Sequence, residues 1–168
     1  MRASRQHHPH RTAPLQPRQP HVEYDVEEHD GTLFIHTNDT DPNFRLVTAP
    51  LERPSEWTER LGPSDHFYMT GVECYRDFFV VEGREDGLDQ IELRDYATHT
   101  PKRIPFPEAS YSASLDDNPE YDVATLRLGY ESMVTPGTVY DYDVASGDLT
   151  VLKVQEIPAG YDAAGYRT

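Results

Sequence analysis

The run FFVVEGREDGLDQIELRDY, residues 78–96, reads as strand, polar turn, strand. Its two flanks carry Phe, Val and Ile, residue types that suit a pleated, half-buried surface. Between them, Asp86-Gly87 is a two-residue hairpin signal, because such a turn needs positive φ at both positions. The same reading recurs on either side, in TNDTDPNFRLVTAPL (37–51) and YESMVTPGTVYDYDV (130–144). Aligning Phe34, Val80 and Leu126 gives steps of 46 and 46 residues, and each lies in the strand that enters a hairpin. The returning strands centre on Leu46, Ile91 and Tyr140, with steps of 45 and 49. A further element follows around Trp57, Arg103 and Leu149, with steps of 46 and 46. A leading strand fits GVECY (71–75) and SYSASL (110–115). Four short strands at a period in this range are the spacing of a β-propeller blade.

The repeat covers residues 22–157 and divides into units at about 22–65, 66–108 and 109–157. The expected fold class is all-β: a partial propeller of about three four-stranded antiparallel blades. Turn signals at Asp30-Gly31, Asp41-Pro42-Asn43, Pro136-Gly137 and Ser146-Gly147 separate the strands. VYDYDV (139–144) alternates apolar or aromatic residues with Asp, the period-2 mark of a half-buried strand. Residues 51–61, with Leu51, Trp57 and Leu61, are compatible with a helical turn. A single β-sandwich is the alternative fold. Closed propellers use about four to eight blades, so three leave two end sheets uncovered. Such a chain is expected either to assemble with copies of itself or to belong to something larger.

Composition narrows the class. The chain has 168 residues, 15 Lys and Arg against 30 Asp and Glu, and a net charge of −15. A nucleic-acid binder needs a basic surface to displace counterions, so that partner is not expected. No stretch approaches the roughly 18 apolar residues of a membrane helix, and no membrane partner is expected. One cysteine, Cys74, excludes an internal disulfide. Eleven Tyr set the chain apart from disordered acidic sequences, which are poor in aromatics. Residues 1–20 hold Arg2, Arg5, Arg11 and Arg18 and no acid, leaving 11 basic against 30 acidic residues in the remaining 148. With Pro9, Pro14, Pro17 and Pro20, residues 1–21 read as a disordered basic tail in which His7, His8 and His10 could hold a metal loosely.

The stretch VATLRLGYESMVTPGTVYDYDVASGDLTVLKVQEIPAGYDAAGYRT (123–168) resembles the end of the propeller in the oligopeptidase B branch of the prolyl oligopeptidase family of serine peptidases. LRLGYESMVTPGTVYDYD is its most specific part. IPAGYDAAGYRT resembles the segment leaving the propeller toward the catalytic domain. EYDVEEHDGTLFIHTNDTDPNFRLVTAPL (23–51) and FFVVEGREDGLDQIELRDY match earlier blades in the same order, so the resemblance runs over about residues 21–168. It implies the last three of seven blades, with residues 158–168 as the start of a linker toward a hydrolase domain that the chain lacks. It also implies a Ser-Asp-His triad and oxyanion hole beyond the end of the chain, cleavage of short peptides after Lys or Arg, and a propeller that shields the site. Composition, as a soluble, acidic, tyrosine-rich chain, sets the expected location as the cytoplasm.

No residue here matches the triad, so no catalytic, cofactor-binding or metal residue is assigned and no cofactor is expected. A nucleophile elbow needs G-x-S-x-G to hold Ser on a tight strand-to-helix turn, and neither Ser132 nor Ser146 has those glycines. His29, His36, His66 and His99 read as turn or surface histidines. There is no H-E-x-x-H, G-x-x-x-x-G-K-[ST] or G-x-G-x-x-G to support metal or nucleotide chemistry. Asp39 with Asp41, and Asp141 with Asp143, have Asp-x-Asp spacing, which on a strand puts both carboxylates on one face. Such pairs can bind calcium or act as paired acids. The plainer readings are a turn and a solvated strand face. Cys74 reads as a core thiol, and Tyr130, Tyr140 and Tyr142 as packing residues.

Two function classes follow. The first is a piece of an oligopeptidase B-like serine peptidase, retaining part of the gating propeller and inactive alone, whose acidic channel concentrates basic peptides. Its partner would be the missing hydrolase domain. The second is a stand-alone module that holds a peptide, or another copy of itself, by strand addition at exposed blade edges.

Overall fold

The structure, a computed structural model, describes residues 15–158, 160 and 165. His7, His8 and His10, which could hold a metal loosely, and most of the expected 158–168 linker lie outside the described residues. The described chain is all-β, and its twelve strands form three sheets, each four-stranded and antiparallel. The first holds β1 (Tyr24–His29), β2 (Thr32–Thr37), β3 (Arg45–Pro50) and β4 (Thr58–Leu61). The second holds β5 (Phe67–Cys74), β6 (Phe78–Glu85), β7 (Leu88–Asp95) and β8 (Pro101–Arg103). The third holds β9 (Ser112–Leu115), β10 (Thr125–Glu131), β11 (Thr138–Asp143) and β12 (Leu149–Val154). Within each sheet the strands lie side by side in chain order, the up-and-down arrangement of a propeller blade. In that arrangement the first strand of each sheet lies nearest the central axis.

Two hairpins carry the turn chemistry their sequences signal. Asp30 and Gly31 have φ of 45° and 75°, and Asp86 and Gly87 have 52° and 82°. Both positions are left-handed, as a two-residue hairpin matched to strand twist requires.

The sheets close on one another through two cores. At the first seam, Phe34 and Leu46 of the first sheet meet Met69, Cys74, Phe79 and Val81 of the second. At the second seam, Phe78, Val80, Ile91 and Leu93 meet Leu126, Leu128, Tyr130 and Tyr142. Period-2 alternation explains how β6 serves both: Phe79 and Val81 face back, Phe78 and Val80 face forward. The 46-residue step preserves this facing from Phe34 to Val80, both of which point to the next sheet. It inverts at Leu126, which points back to the second sheet. A step of 46 finds the right strand but lands one residue off the equivalent face, and a one-residue slip exchanges the two faces.

One further expectation changes. Residues 51–61 form no helix. Arg53 N–H donates to the Pro50 carbonyl at 2.9 Å and Glu56 N–H to the Arg53 carbonyl at 3.0 Å, and β4 then begins at Thr58. Pro54 removes an amide a helix would need, and pairing with β3 captures the rest. Leu15 packs with Trp57 against Leu33, Ile35, Val47 and Ala49, the outer apolar face of the first sheet. No helix among the described residues is long and apolar enough to cross a membrane.

Candidate functional site

The axis-facing strands β1, β5 and β9 each have one edge without a strand partner in their own sheet. Open edges are templates for unwanted pairing, and this chain covers two of them with side chains from the preceding sheet. Glu82 of β6 accepts the Leu115 amide at 2.7 Å, and Asp89 of β7 accepts the Ala113 amide at 3.1 Å. These are donors on the edge of β9 that faces away from β10. One seam earlier, His36 of β2 sits at the position 46 residues before Glu82. Its Nε2 lies 3.2 Å from the Met69 carbonyl on β5. The Asn43 carbonyl accepts the Met69 amide at 3.1 Å.

Beside these caps five carboxylates lie close enough to act on one another: Asp25 and Glu27 on β1, Glu73 on β5, then Glu82 and Asp89, the last ion-paired with Arg84 at 2.9 Å. Burial raises the Glu27 carboxyl above its ordinary range, and the charges of Glu73 and Asp25 add to the shift. Burial likewise raises Glu82, reinforced by Glu73 and Asp89 and opposed by the Leu115 amide. Tyr75 donates its hydroxyl to Glu73 at 2.7 Å, and burial first, then that bond, holds the phenol protonated. Beside this cluster an open groove of about 460 Å³ is lined by Arg84, Asp89, Ser112, Ser114, Gly129 and Glu131. The arrangement is a negatively charged surface next to a strand edge, suited to holding an extended cationic chain.

The residues weighed from sequence fall elsewhere. Asp39 grips Arg45 with two bonds of 2.8 Å, while Asp41 accepts the Asn43 amide at 2.8 Å. That pair is therefore split between an ion pair and a turn. Asp141 meets Arg127 at 3.2 Å, and Asp143 accepts the Ser146 amide at 2.7 Å. The amide bonds at Ser146 hold Asp143 below the usual carboxylate range. Ser132 donates to Glu108 and accepts the Val134 and Thr135 amides at 2.9 and 2.8 Å, which makes it a turn clamp. Ser146 accepts the Asp148 amide at 3.2 Å. His29 contacts Tyr121, His36 is buried, the His66 amide bonds to Ser64, and the His99 amide bonds to the Asp95 carbonyl. Cys74 is 8% exposed, and burial pushes its thiol up to about 12. That is a core thiol, not a nucleophile. Tyr130 and Tyr142 are buried, and Tyr140 packs edge-on against Tyr130 at 5.7 Å. Among the described residues no group of three or more His, Cys, Asp or Glu is placed to hold a metal.

Sequence reading missed Glu82, Asp89 and His36 as inter-sheet caps. One signal was present for Glu82. In FFVVEG it shares a strand face with Phe78 and Val80, so a charge stands in an apolar row. The partner amides, 33 and 24 residues away, leave no local trace.

Comparison with known proteins matches this architecture. A family model described as the prolyl oligopeptidase N-terminal β-propeller domain matches residues 2–155. It starts well before residue 21, where the resemblance in the sequence was expected to begin, in accord with the packing of Leu15. The dipeptidyl aminopeptidase BI of Pseudoxanthomonas mexicana is 34% identical over 157 residues, 92% of this chain and 21% of that protein. Protease 2 of Moraxella lacunata is 29% identical over 146 residues, 86% of this chain and 21% of that protein. Oligopeptidase B from Leishmania major superposes with a TM-score of 0.82 at 29% identity, over 95% of this chain and 24% of that one. The chain thus spans about a fifth of the length of the curated relatives it matches.

Proposed function

Because the chain belongs to the prolyl oligopeptidase family, as part of its N-terminal β-propeller domain, we propose that it supplies three blades of a propeller gating an oligopeptidase B-like serine peptidase of the cytoplasm. In this reading the blades admit short peptides to a hydrolase domain that cleaves after Lys or Arg by acyl transfer. That domain would bring the Ser nucleophile, the His base and the oxyanion hole. The likeness to oligopeptidase B and to Protease 2 supports the choice of branch.

The observation that carries it is the cluster of Asp25, Glu27, Glu73, Glu82 and Asp89 on neighbouring strands of the first two sheets. Like charges gathered on a partly dehydrated surface raise the local concentration of cationic ligands. The 168-residue chain alone should not hydrolyse a short Arg amide, because it offers no G-x-S-x-G elbow. It should bind a fluorescent Arg-containing peptide more tightly than the same peptide with citrulline, and the difference should shrink with salt. Equal binding of the two peptides removes the support for a gate selective for basic substrates.

One feature favours the second reading, a stand-alone module working by strand addition. The outer edges β4 (TERL) and β8 (PKR) are short and charged, whereas β12 (LTVLKV) exposes Val151, Leu152 and Val154 around a single Lys153. Short, charged or Pro-bearing edges resist pairing, and β12 lacks that protection. Sedimentation separates the readings: a stable closed oligomer supports the module, and a monomer supports the gate.

A further inference from the structure

The loop between β9 and β10 (Asp116–Ala124, DDNPEYDVA) travels much further than its two strands require. Its base is closed on the third sheet. The Arg127 amide donates to Asn118 Oδ1 at 2.7 Å, and Asn118 Nδ2 donates to the Arg127 carbonyl at 3.0 Å. Its middle lies over the second sheet. The Arg76 amide donates to the Tyr121 carbonyl at 2.9 Å, and the Arg76 guanidinium pairs with Asp122. Its tip reaches the first sheet, where the Tyr121 hydroxyl lies 2.6 Å from His29 Nδ1. His29 in turn stacks on Tyr96 at 3.7 Å, and Tyr96 donates to the Tyr75 carbonyl at 2.7 Å. One loop therefore ties the β1–β2 turn and the β5–β6 turn to the third sheet, across the axis-facing end of all three.

We propose that residues 116–124 are a releasable latch over this end of the channel, with the Tyr121–His29 bond as its bolt and Arg76 as its middle anchor. The attachment to the first sheet is slight beside the packed seams: one hydroxyl–imidazole bond and a tilted ring contact at 6.1 Å, with Tyr121 44% exposed. A single neutral hydrogen bond shifts an equilibrium by roughly 2- to 10-fold, so the closed form predominates without being locked. The middle anchor is an exposed ion pair that another guanidinium can replace at Asp122. An arginine-bearing peptide arriving at this end would thus loosen the strap in its path. This use as a gate rests on the function proposed above; the latch itself does not.

Hydrogen exchange of the whole 168-residue chain, read residue by residue, tests both parts. The reporting amide is that of Arg76, which donates to Tyr121. Tyr121→Phe should speed its exchange roughly 2- to 10-fold, and His29→Gln, which also loses the stack on Tyr96, at least as much. The amides of Val80 and Val81, deep in β6, should not change. An unaltered Arg76 rate in both variants, or an equal rise in β6, overturns the latch. A short diarginine peptide should speed Arg76 exchange in the parent chain and fail to do so in Asp122→Asn. If the variants behave as stated but the peptide does nothing, the latch stands and its role in admitting basic peptides falls.

Discussion

The two seams join sheets of the same design with different chemistry. The first is a pile of rings: Phe34 lies 5.5 Å from both Phe79 and Tyr96, and His36 stacks on Phe44 at 4.5 Å. Its inter-sheet polar cap is an imidazole, His36. The second is longer and mixes Val80, Ile91, Leu93, Leu126 and Leu128 with the buried rings of Tyr75, Phe78, Tyr130 and Tyr142. Its inter-sheet polar cap is a carboxylate, the half-buried Glu82. Neighbouring copies of one repeat thus share strand number and spacing while their contact surfaces diverge. Each seam is a separate packing problem, solved by whichever side chains alternate onto it.

The largest test of that difference cuts each core once. Phe79→Ala at the first seam should cost about 3–5 kcal/mol and Leu128→Ala at the second about 2–5 kcal/mol, read from urea unfolding. If the seams are independent, the double variant should cost the sum of the two; a smaller cost means the three sheets share one cooperative core. Gly83→Ala comes next. A Cβ there would stand 2.3 Å from Phe67 Cζ and 2.7 Å from the Tyr68 carbonyl, so about 1–3 kcal/mol should be lost at the first seam alone. At the second seam, Glu82→Leu strands the Leu115 amide and should cost about 1–3 kcal/mol, whereas Glu82→Gln keeps an acceptor and should cost less. Equal losses for Leu and Gln would show that the cap contributes nothing.

The smallest effect distinguishes the seams by sign. Burial lowers the His36 pKa from 6.5, against opposing help from the Met69 carbonyl and Asp25. The unfolded chain therefore takes up a proton before the folded one, and stability falls as pH drops below 6.5. Glu82 is shifted upward from 4.5, so the folded chain protonates first and stability rises as pH falls toward 4.5. Between pH 6.5 and pH 4.5 the two contributions run in opposite directions. His36→Gln should flatten the loss and Glu82→Gln the gain. Identical pH profiles for both variants would dissolve the distinction.

The blades were legible because strands leave a local record. Phe34, Val80 and Leu126 each stand in the second strand of a sheet, and Leu46, Ile91 and Tyr140 each in the third. Facing was not legible at Leu126, since an apolar residue marks a strand whichever neighbour it packs on. The helical turn suggested for 51–61 gave way because Trp57 and Leu61 answer to β3 across a bulge, not to one another. The axial caps and the latch were invisible for a plainer reason. His29 and Tyr121 are 92 residues apart, and nothing in either segment names the other.

Cys74 gives this molecule a built-in timer. It is the chain's one thiol, set among Phe79, Met69 and Leu46 with its proton held by burial. A thiol reagent needs both access and a thiolate, so labelling must wait for the first two sheets to part. The labelling half-life therefore clocks the breathing of that joint in the unaltered protein. When reagent is plentiful it yields the opening rate, and when reagent is scarce the fraction of time spent open. Ligands that clamp the sheets together would slow the clock, and ligands that wedge between them would speed it.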